Sequence, residues 1–329
     1  MRAMQSLTNI LAAAGVSTVI SRESFSHYGE SLAGVRAETH YTQFDVPVDP
    51  YRAPGDLSSG LLFGISPEPF GQPGSGDKHL AAYSYRLPLT DVEENRLPIY
   101  KPDGYDPSHY ELHRRYLQAG GKLYIPRLKG IPNRKTDLIG SEAVLATDLL
   151  GMNDDWPAVG SQERQNILDK TATFTKGLIW FFANGPAVPL DIRNEWSRFG
   201  YCLDEFPDNN HFPRQLYVRD ARRMVSDYVI TQHTASEHDG EEEDPYPVAI
   251  AYWSTNTHWA VRIEHQFWEL GQACANACDI ALSDTTAPMP VQDVPYGLLR
   301  ERLLSQNAVL DVALVGKPDF SLLGPNPKA

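Results

Sequence analysis

Four arginines, Arg214, Arg219, Arg222 and Arg223, stand within ten residues of one another in the stretch DNNHFPRQLYVRDARRMVSDYVIT, 208–231. His211, Gln215 and Tyr217 share that stretch. If residues 214–219 are extended, period-two alternation turns Leu216 and Val218 one way and Gln215, Tyr217 and Arg219 the other. One face would then enter a core, and the other would offer donors to an anion or a polar ligand. Asp204, Glu205, Asp208, Asp220 and Asp227 lie close in sequence, so pairing of these arginines with structural carboxylates is the competing expectation.

Other chemistry-bearing patterns are weaker. His109 and His113 stand four residues apart with Glu111 between them, but a zinc protease needs its glutamate directly after the first histidine, beside the metal-bound water. A solvated helix face is expected there, and no metal. The run SEHDGEEEDP holds six carboxylates between Glu237 and Asp244 and is expected to be a solvated loop. The glycines of FGQPGSGDK, spaced G-x-x-G-x-G, are preceded by prolines rather than a strand, so a shaped loop is expected instead of a phosphate cradle. Cys202, Cys274 and Cys278 form no CxxC and are too few for a disulfide framework.

These residues sit in a chain of 329 with a net charge of −13. That balance argues against nucleic acid and anionic membranes as partners, since both need a basic face. No apolar run approaches the roughly 20 residues that span a bilayer, so a soluble, cytoplasmic chain is expected. Helices are expected over residues 1–14, ending at Gly15, and from Asp106-Pro107 to Gly120. A third runs from Ser161 to Gly185-Pro186, with Ile167, Leu168, Ala172, Leu178, Ile179 and Phe182 as its stripe, and a fourth spans about Leu190 to Phe199. The last two form a hairpin in which Trp180, Phe181, Phe182 and Trp196 pack. A later helix, about Glu264 to Leu282, presents Phe267, Leu270, Cys274, Ala277, Cys278 and Ala281 on one face. Asp293 is expected to cap a last helix carrying Leu298, Leu299 and Leu303. Strands are expected at Val16–Ile20 and over Leu80–Leu89, the latter with Tyr83, Tyr85 and Leu87 on one face.

Three runs together resemble a known family: FGQPGSGDKHLAAYSYRLPLT, ENRLPIYKPDGYDPSHYELHRRYL and DEFPDNNHFPRQLYVRDARRMVSDYVIT. They look like the FAD-dependent oxidoreductases, glutathione-reductase-like flavoproteins whose bacterial members are often labelled xanthan-lyase-like. THWAVRIEHQFWELGQACANA resembles the end of their flavin domain, and AAAGVSTVISRES a segment near its start. The resemblance implies an α/β fold (α+β as the chain stands), in which FAD lies across a Rossmann-type domain and a substrate domain covers its ring. It divides the chain into a flavin-domain remnant (1–45), a substrate domain (46–235), the end of the flavin domain with closing helices (236–311) and a tail (312–329).

Carried over residue by residue, the resemblance gives Thr257, His258, Arg262, Gly271 and Gln272 contacts to the flavin. His211 and Tyr217 become candidates for proton transfer. Arg214, Gln215, Arg219 and Arg222, with Asp77 and Arg86 from the second substrate-domain motif, become candidates for holding a small-molecule substrate. The family's strand–GxGxxG–helix is not among these residues, and the segment between Thr231 and Thr257 is shorter than the pattern. The expected function is oxidation of a C–H bond of a small organic or carbohydrate-like molecule by hydride transfer to FAD. The alternatives are a flavin-free binding protein, a truncated gene product, or a cofactor-independent enzyme reusing the pocket.

Overall fold

A computed structural model describes residues 10, 12–37, 43–122, 126, 128–139, 144–219, 221–227, 229, 231, 233, 237–238, 241–242 and 264–310. The chain forms two compact units, Met1–His27 with Leu32–Ser226, and Tyr28–Ser31 with Asp227–Ala329. Helix and sheet are mixed, as expected, and each described strand pair is antiparallel.

In the larger unit, β1 (Thr18–Ile20) pairs with a strand at Arg222–Met224, Ile20 opposite Arg222. The main sheet uses β2 (Leu89–Thr90), β3 (Arg96–Leu97), β4 (Leu128–Ile131), β5 (Lys135–Thr136) and β6 (Gly200–Cys202) in the order β3-β6-β2-β5-β4. The Arg222–Met224 strand is β7. At Gly200 a Cβ would fall 2.0 Å from the Leu97 carbonyl, so β6 and β3 meet this closely only over glycine.

The run 80–89 departs from expectation. Only its last residues join a ladder, and Ser84 and Leu87 make single bridges, to Tyr217 and Leu138. Leu80, Ala82, Tyr83, Ser84, Tyr85, Leu87 and Leu89 are all buried, so the run is covered on both sides rather than one. Its aromatic residues pointed to one face, but alanine and serine fill the other where backbones come close.

Asp106 accepts from Ser108 N with Pro107 in the first turn, and α1 (Glu111–Gln118) follows. α2 (Ser161–Asn184) and α3 (Leu190–Ser197) form the expected hairpin, with the Phe182 and Trp196 rings 4.9 Å apart. Tyr110 stacks on Phe174 and on Phe181, each at 5.7 Å, and fits because α2 carries Gly177 at the contact.

His113 corrects the sequence reading. It lies at 4% exposure among Tyr110, Phe174, Phe181 and Phe182, with neither ring nitrogen hydrogen-bonded among the described residues. Burial pushes it from the usual 6.5 to about 3, so the ring stays neutral. His109 instead stacks on Phe63 at 3.9 Å. The pair therefore faces packing rather than solvent. Its helical spacing was legible, but nothing local told which side the core lay on.

In the smaller unit, α4 (Glu264–Ala281) packs on α5 (Tyr296–Ser305). Among its residues whose burial is described, Ala273, Asn276, Ala277, Ile280 and Ala281 are buried, while Cys274 and Cys278 are exposed; the Phe267 side chain lies outside the described ones. The buried stripe is thus rotated from the expected one toward alanine and isoleucine. Gln306 draws in Asn276 with bonds of 2.9 Å in each direction, a polar anchor that hydrophobic periodicity ignores. Asp293 lies in a short 3-10 turn, and Pro295, not Asp293, occupies the cap position of α5. The acidic run folds in part as a hairpin, β8 (Glu237–His238) against β9 (Glu241–Glu242). The expected tail, 312–329, lies outside the described residues.

Two stability outcomes follow. Gly177→Ala places a Cβ 2.0 Å from the Tyr110 hydroxyl. The overpacking cost of about 1–3 kcal/mol exceeds the helix-propensity gain of about 1 kcal/mol, so the urea midpoint falls; an unchanged midpoint would refute this packing. His113 regains its ordinary affinity for protons on unfolding, so the unfolded chain binds a proton first as pH drops. Stability is therefore lost between pH 6.5 and 3, with a slope of up to about 1.4 kcal/mol per pH unit. His113→Leu should remove that part of the acid sensitivity in denaturation curves run from pH 7 to 4, and an unaltered slope would count against it.

Candidate functional site

The segment 214–219 has the alternation its sequence predicts. Leu216 and Val218 are buried at 0% and 2% exposure, while Gln215, Tyr217 and Arg219 are half-buried on the opposite side. Tyr217 N donates to the Ser84 carbonyl at 2.9 Å, which fixes the strand against the buried run. The Gln215 side-chain nitrogen is buried with no acceptor among the described residues.

Several expected site residues are committed to partners. Asp77 is clamped by Arg22 and accepts from His79 N at 3.0 Å. Arg86 forks onto Asp137 and lies 5.5 Å from the centre of the Tyr217 ring. Arg214 is exposed and paired with Asp208. His211 adopts a left-handed conformation, φ +59°, and its Nδ1 donates to the Glu205 carbonyl at 3.0 Å. That bond closes the turn and leaves Nε2 as the nitrogen that can exchange a proton. Arg222 reaches Thr18 Oγ1 at 3.2 Å and the Pro157 carbonyl at 3.0 Å, both neutral. The structure thus brings Gln215, Tyr217 and Arg219 to one face with Arg86 over it.

Two groups near this region were not singled out from sequence. The Asp148 carboxyl is pushed up to about 6 by burial, against the pull of Arg219. It stands in a stretch, 144–152, with no periodic pattern to point inward, and the long sequence separation from Arg219 hides the pair. His79 sits between two carboxylates, with Nδ1 2.6 Å from Asp154 and Nε2 3.2 Å from Glu68. Hydrogen bonding to Asp154 raises its pKa, so it is an imidazolium clasp tying the proline-rich loop to the turn at 154. Among the described residues no cluster of histidine, cysteine or carboxylates could hold a metal ion, and no helix is long and apolar enough to cross a membrane.

The residues carried over for flavin divide. Thr257, His258 and Arg262 lie outside the described residues. Gly271 is exposed within α4, and an added Cβ there would meet nothing within 4 Å. Nothing among the described residues therefore requires glycine at 271. Gln272 fits less well, because its amide already donates to Gln306 at 2.8 Å.

Asp148 carries a pH signature. Its folded pKa lies above the unfolded value of 3.8, so the native state holds an extra proton between about pH 4 and 6. The stability this gives is present below pH 4 and lost as pH rises through 6. Asp148→Asn cannot lose it, and should exceed the parent by roughly 1–2 kcal/mol at pH 8 while matching it near pH 4. Equal differences at both pH values, in thermal unfolding, would refute the buried acid.

The geometry is that of a half-buried polar face laid on a tightly packed core. No curated protein and no solved structure matches the chain significantly. A family model described as FAD dependent oxidoreductase matches residues 6–260, which include all of the 208–231 stretch, Thr257 and His258 but not Arg262, Gly271 or Gln272. The chain belongs to the FAD-dependent oxidoreductase family.

Proposed function

We propose that the protein oxidises a C–H bond of a small organic or carbohydrate-like molecule with FAD as electron acceptor, the flavin domain being Rossmann-type. The family match over 6–260 carries this reading. FAD, when bound, supplies the acceptor for a hydride. The chain's own residues do the rest. Arg219 and Gln215 orient the substrate from the polar face, and Arg222 adds a cation. Tyr217, passing on its own hydroxyl proton as it accepts one, or His211 Nε2 as the second candidate, takes the proton that leaves with the hydride equivalent, and Asp148, whose carboxyl feels Arg219 and is pushed up to about 6, is the carboxyl we propose to receive it. Asp77, Arg86 and Arg214 are already ion-paired, so their contribution is to hold the wall in shape. On the cofactor, Gly271 with Thr257, His258 and Arg262 are the proposed contacts.

A flavin-free binding protein is the second reading, favoured by the commitment of Gln272 to Gln306. A visible spectrum separates the two. After incubation with FAD and gel filtration, the protein should retain a flavin band, and a colourless protein would defeat the oxidoreductase reading for this chain. Given retained flavin, Arg219→Ala should slow anaerobic bleaching by a panel of sugars and hydroxy acids by about tenfold or more, with flavin content unchanged. Loss of the flavin instead would move Arg219 to the cofactor side.

A further inference from the structure

Lys78 lies 3.0 Å from Glu68, and Lys135 reaches Asp204 at 2.8 Å and Glu205 at 2.5 Å, so each of these ammonium groups is neutralised by a carboxylate. Lys176 is held differently. It stands on α2 beside Phe174, Leu178 and Ile179, which enter the core, and its Nζ lies 4.4 Å from the centre of the buried Phe212 ring. Tyr85 packs on that same ring with centroids 4.7 Å apart, so the ring is fixed in the core wall. No carboxylate pairs with Lys176 among the described residues, and the side chain is half-buried rather than sealed in. Its amine is thus seated on an apolar surface with one side open to solvent.

The face of a phenyl ring attracts a cation but is a poor substitute for the water that an ammonium's three donors give up. Burial without a counter-charge therefore favours the neutral amine. The contrast with the paired lysines is informative. Burial lowers Lys176 below its ordinary value. Burial also pulls Lys135 down, but its bonds to Asp204 and Glu205 together outweigh that and raise it, and the bond to Glu68 raises Lys78. A neutral, partly exposed amine is a nucleophile where a protonated one is not. We propose that Lys176 is a modification site for small aldehydes, its Nζ condensing with the carbonyl carbon to form an imine. The nitrogen lone pair makes the new C–N bond as the carbonyl π pair moves to oxygen. Both nitrogen-bound protons then leave with that oxygen as water while C=N forms, so no oxidant or reductant is needed. Phe212 covers one side of the amine, and the aldehyde approaches from the solvent side.

Nothing in this step involves flavin, so it goes beyond the oxidoreductase reading and does not rest on it. The test exposes the full chain briefly to limiting acetaldehyde with sodium cyanoborohydride, which fixes each imine as an N-ethyl group, and follows every lysine by peptide mass spectrometry. At about pH 7.5 Lys176 should gain label about tenfold faster than Lys78, since each unit of pKa between two amines changes the neutral fraction tenfold. It should also outpace Lys170, which is exposed on the same helix, by about threefold or more. The advantage over Lys78 should shrink toward pH 10, as both amines lose their protons, and vanish in concentrated urea, where the burial is gone. Lys176→Arg should remove that one label and leave those on Lys78 and Lys170 unchanged. Labelling of Lys176 no faster than that of Lys170, or an advantage that persists in urea, overturns the proposal. A protein labelled at Lys176 but colourless with FAD would leave the amine site standing and remove the oxidoreductase reading; a yellow protein whose Lys176 stays inert would do the reverse.

Discussion

The larger unit depends on satisfying the backbone of a run that is buried on both sides without belonging to a full ladder. From Leu80 to Leu89 only Arg86 is exposed and no continuous strand is at hand, and an orphaned buried amide costs as much as a lost hydrogen bond. The partners are assembled one by one. Asp154 accepts from Leu80 N at 3.0 Å. Asn153, itself buried, accepts from Tyr83 N at 2.8 Å and donates to the Ala81 carbonyl at 3.1 Å. Tyr217 serves Ser84, Leu138 exchanges two bonds with Leu87, and Thr136 Oγ1 takes Leu89 N at 2.9 Å. The turn at 153–154, the strand at 217 and β5 are thus held to one segment by polar geometry, and the aromatic core fills in behind them.

The candidate site inherits its rigidity from that arrangement. Because Tyr217 is bonded to Ser84, the alternation of Leu216 and Val218 into the core fixes the opposite parity, Gln215, Tyr217 and Arg219, on the polar side. Because Asn153 and Asp154 are tied to the run, the neighbouring turn that presents Trp156 and Pro157 carbonyls to Arg164 and Arg222 is tied as well. The ion pairs Arg86–Asp137 and Arg22–Asp77 add local orientation, but both are largely solvent-accessible and contribute little to stability. Positioning comes from buried hydrogen bonds, and charge is placed on top of them.

This division explains what was legible in the sequence. Helices α2 and α3 could be read because a 3.6-residue stripe and flanking Gly185 state their own boundaries. The polar face at 215–219 could be read because two aliphatic residues alternate with three polar ones. His113, the both-sided burial of 80–89 and the rotated stripe of α4 could not, since each depends on what another segment brings. For His113 that is Phe174, Phe181 and Phe182 on α2, and for α4 it is Gln306. Asp148 was missed for the same reason: Arg219 is far along the chain, and only folding makes a single carboxylate significant. The family resemblance reached further than the residue patterns because it compares several separated segments at once, yet it assigned Arg86 and Arg214 without showing that Asp137 and Asp208 already hold them.

Charge at long and short range can then be weighed against each other. A net charge of −13 repels an anionic ligand at long range. At physiological ionic strength, however, exposed charges more than about 8 Å away are largely screened, whereas half-buried ones are not. A small ligand at the polar face of Gln215, Tyr217 and Arg219 meets the local groups and little of the acidic remainder. A polyanion is longer than the screening length, so its outlying charges meet carboxylate-rich surface with no basic stripe to receive them. The acidic composition therefore does not conflict with an anion site. It confines the proposed site to small ligands and leaves selection to the groups they touch, rather than to the overall field of the protein.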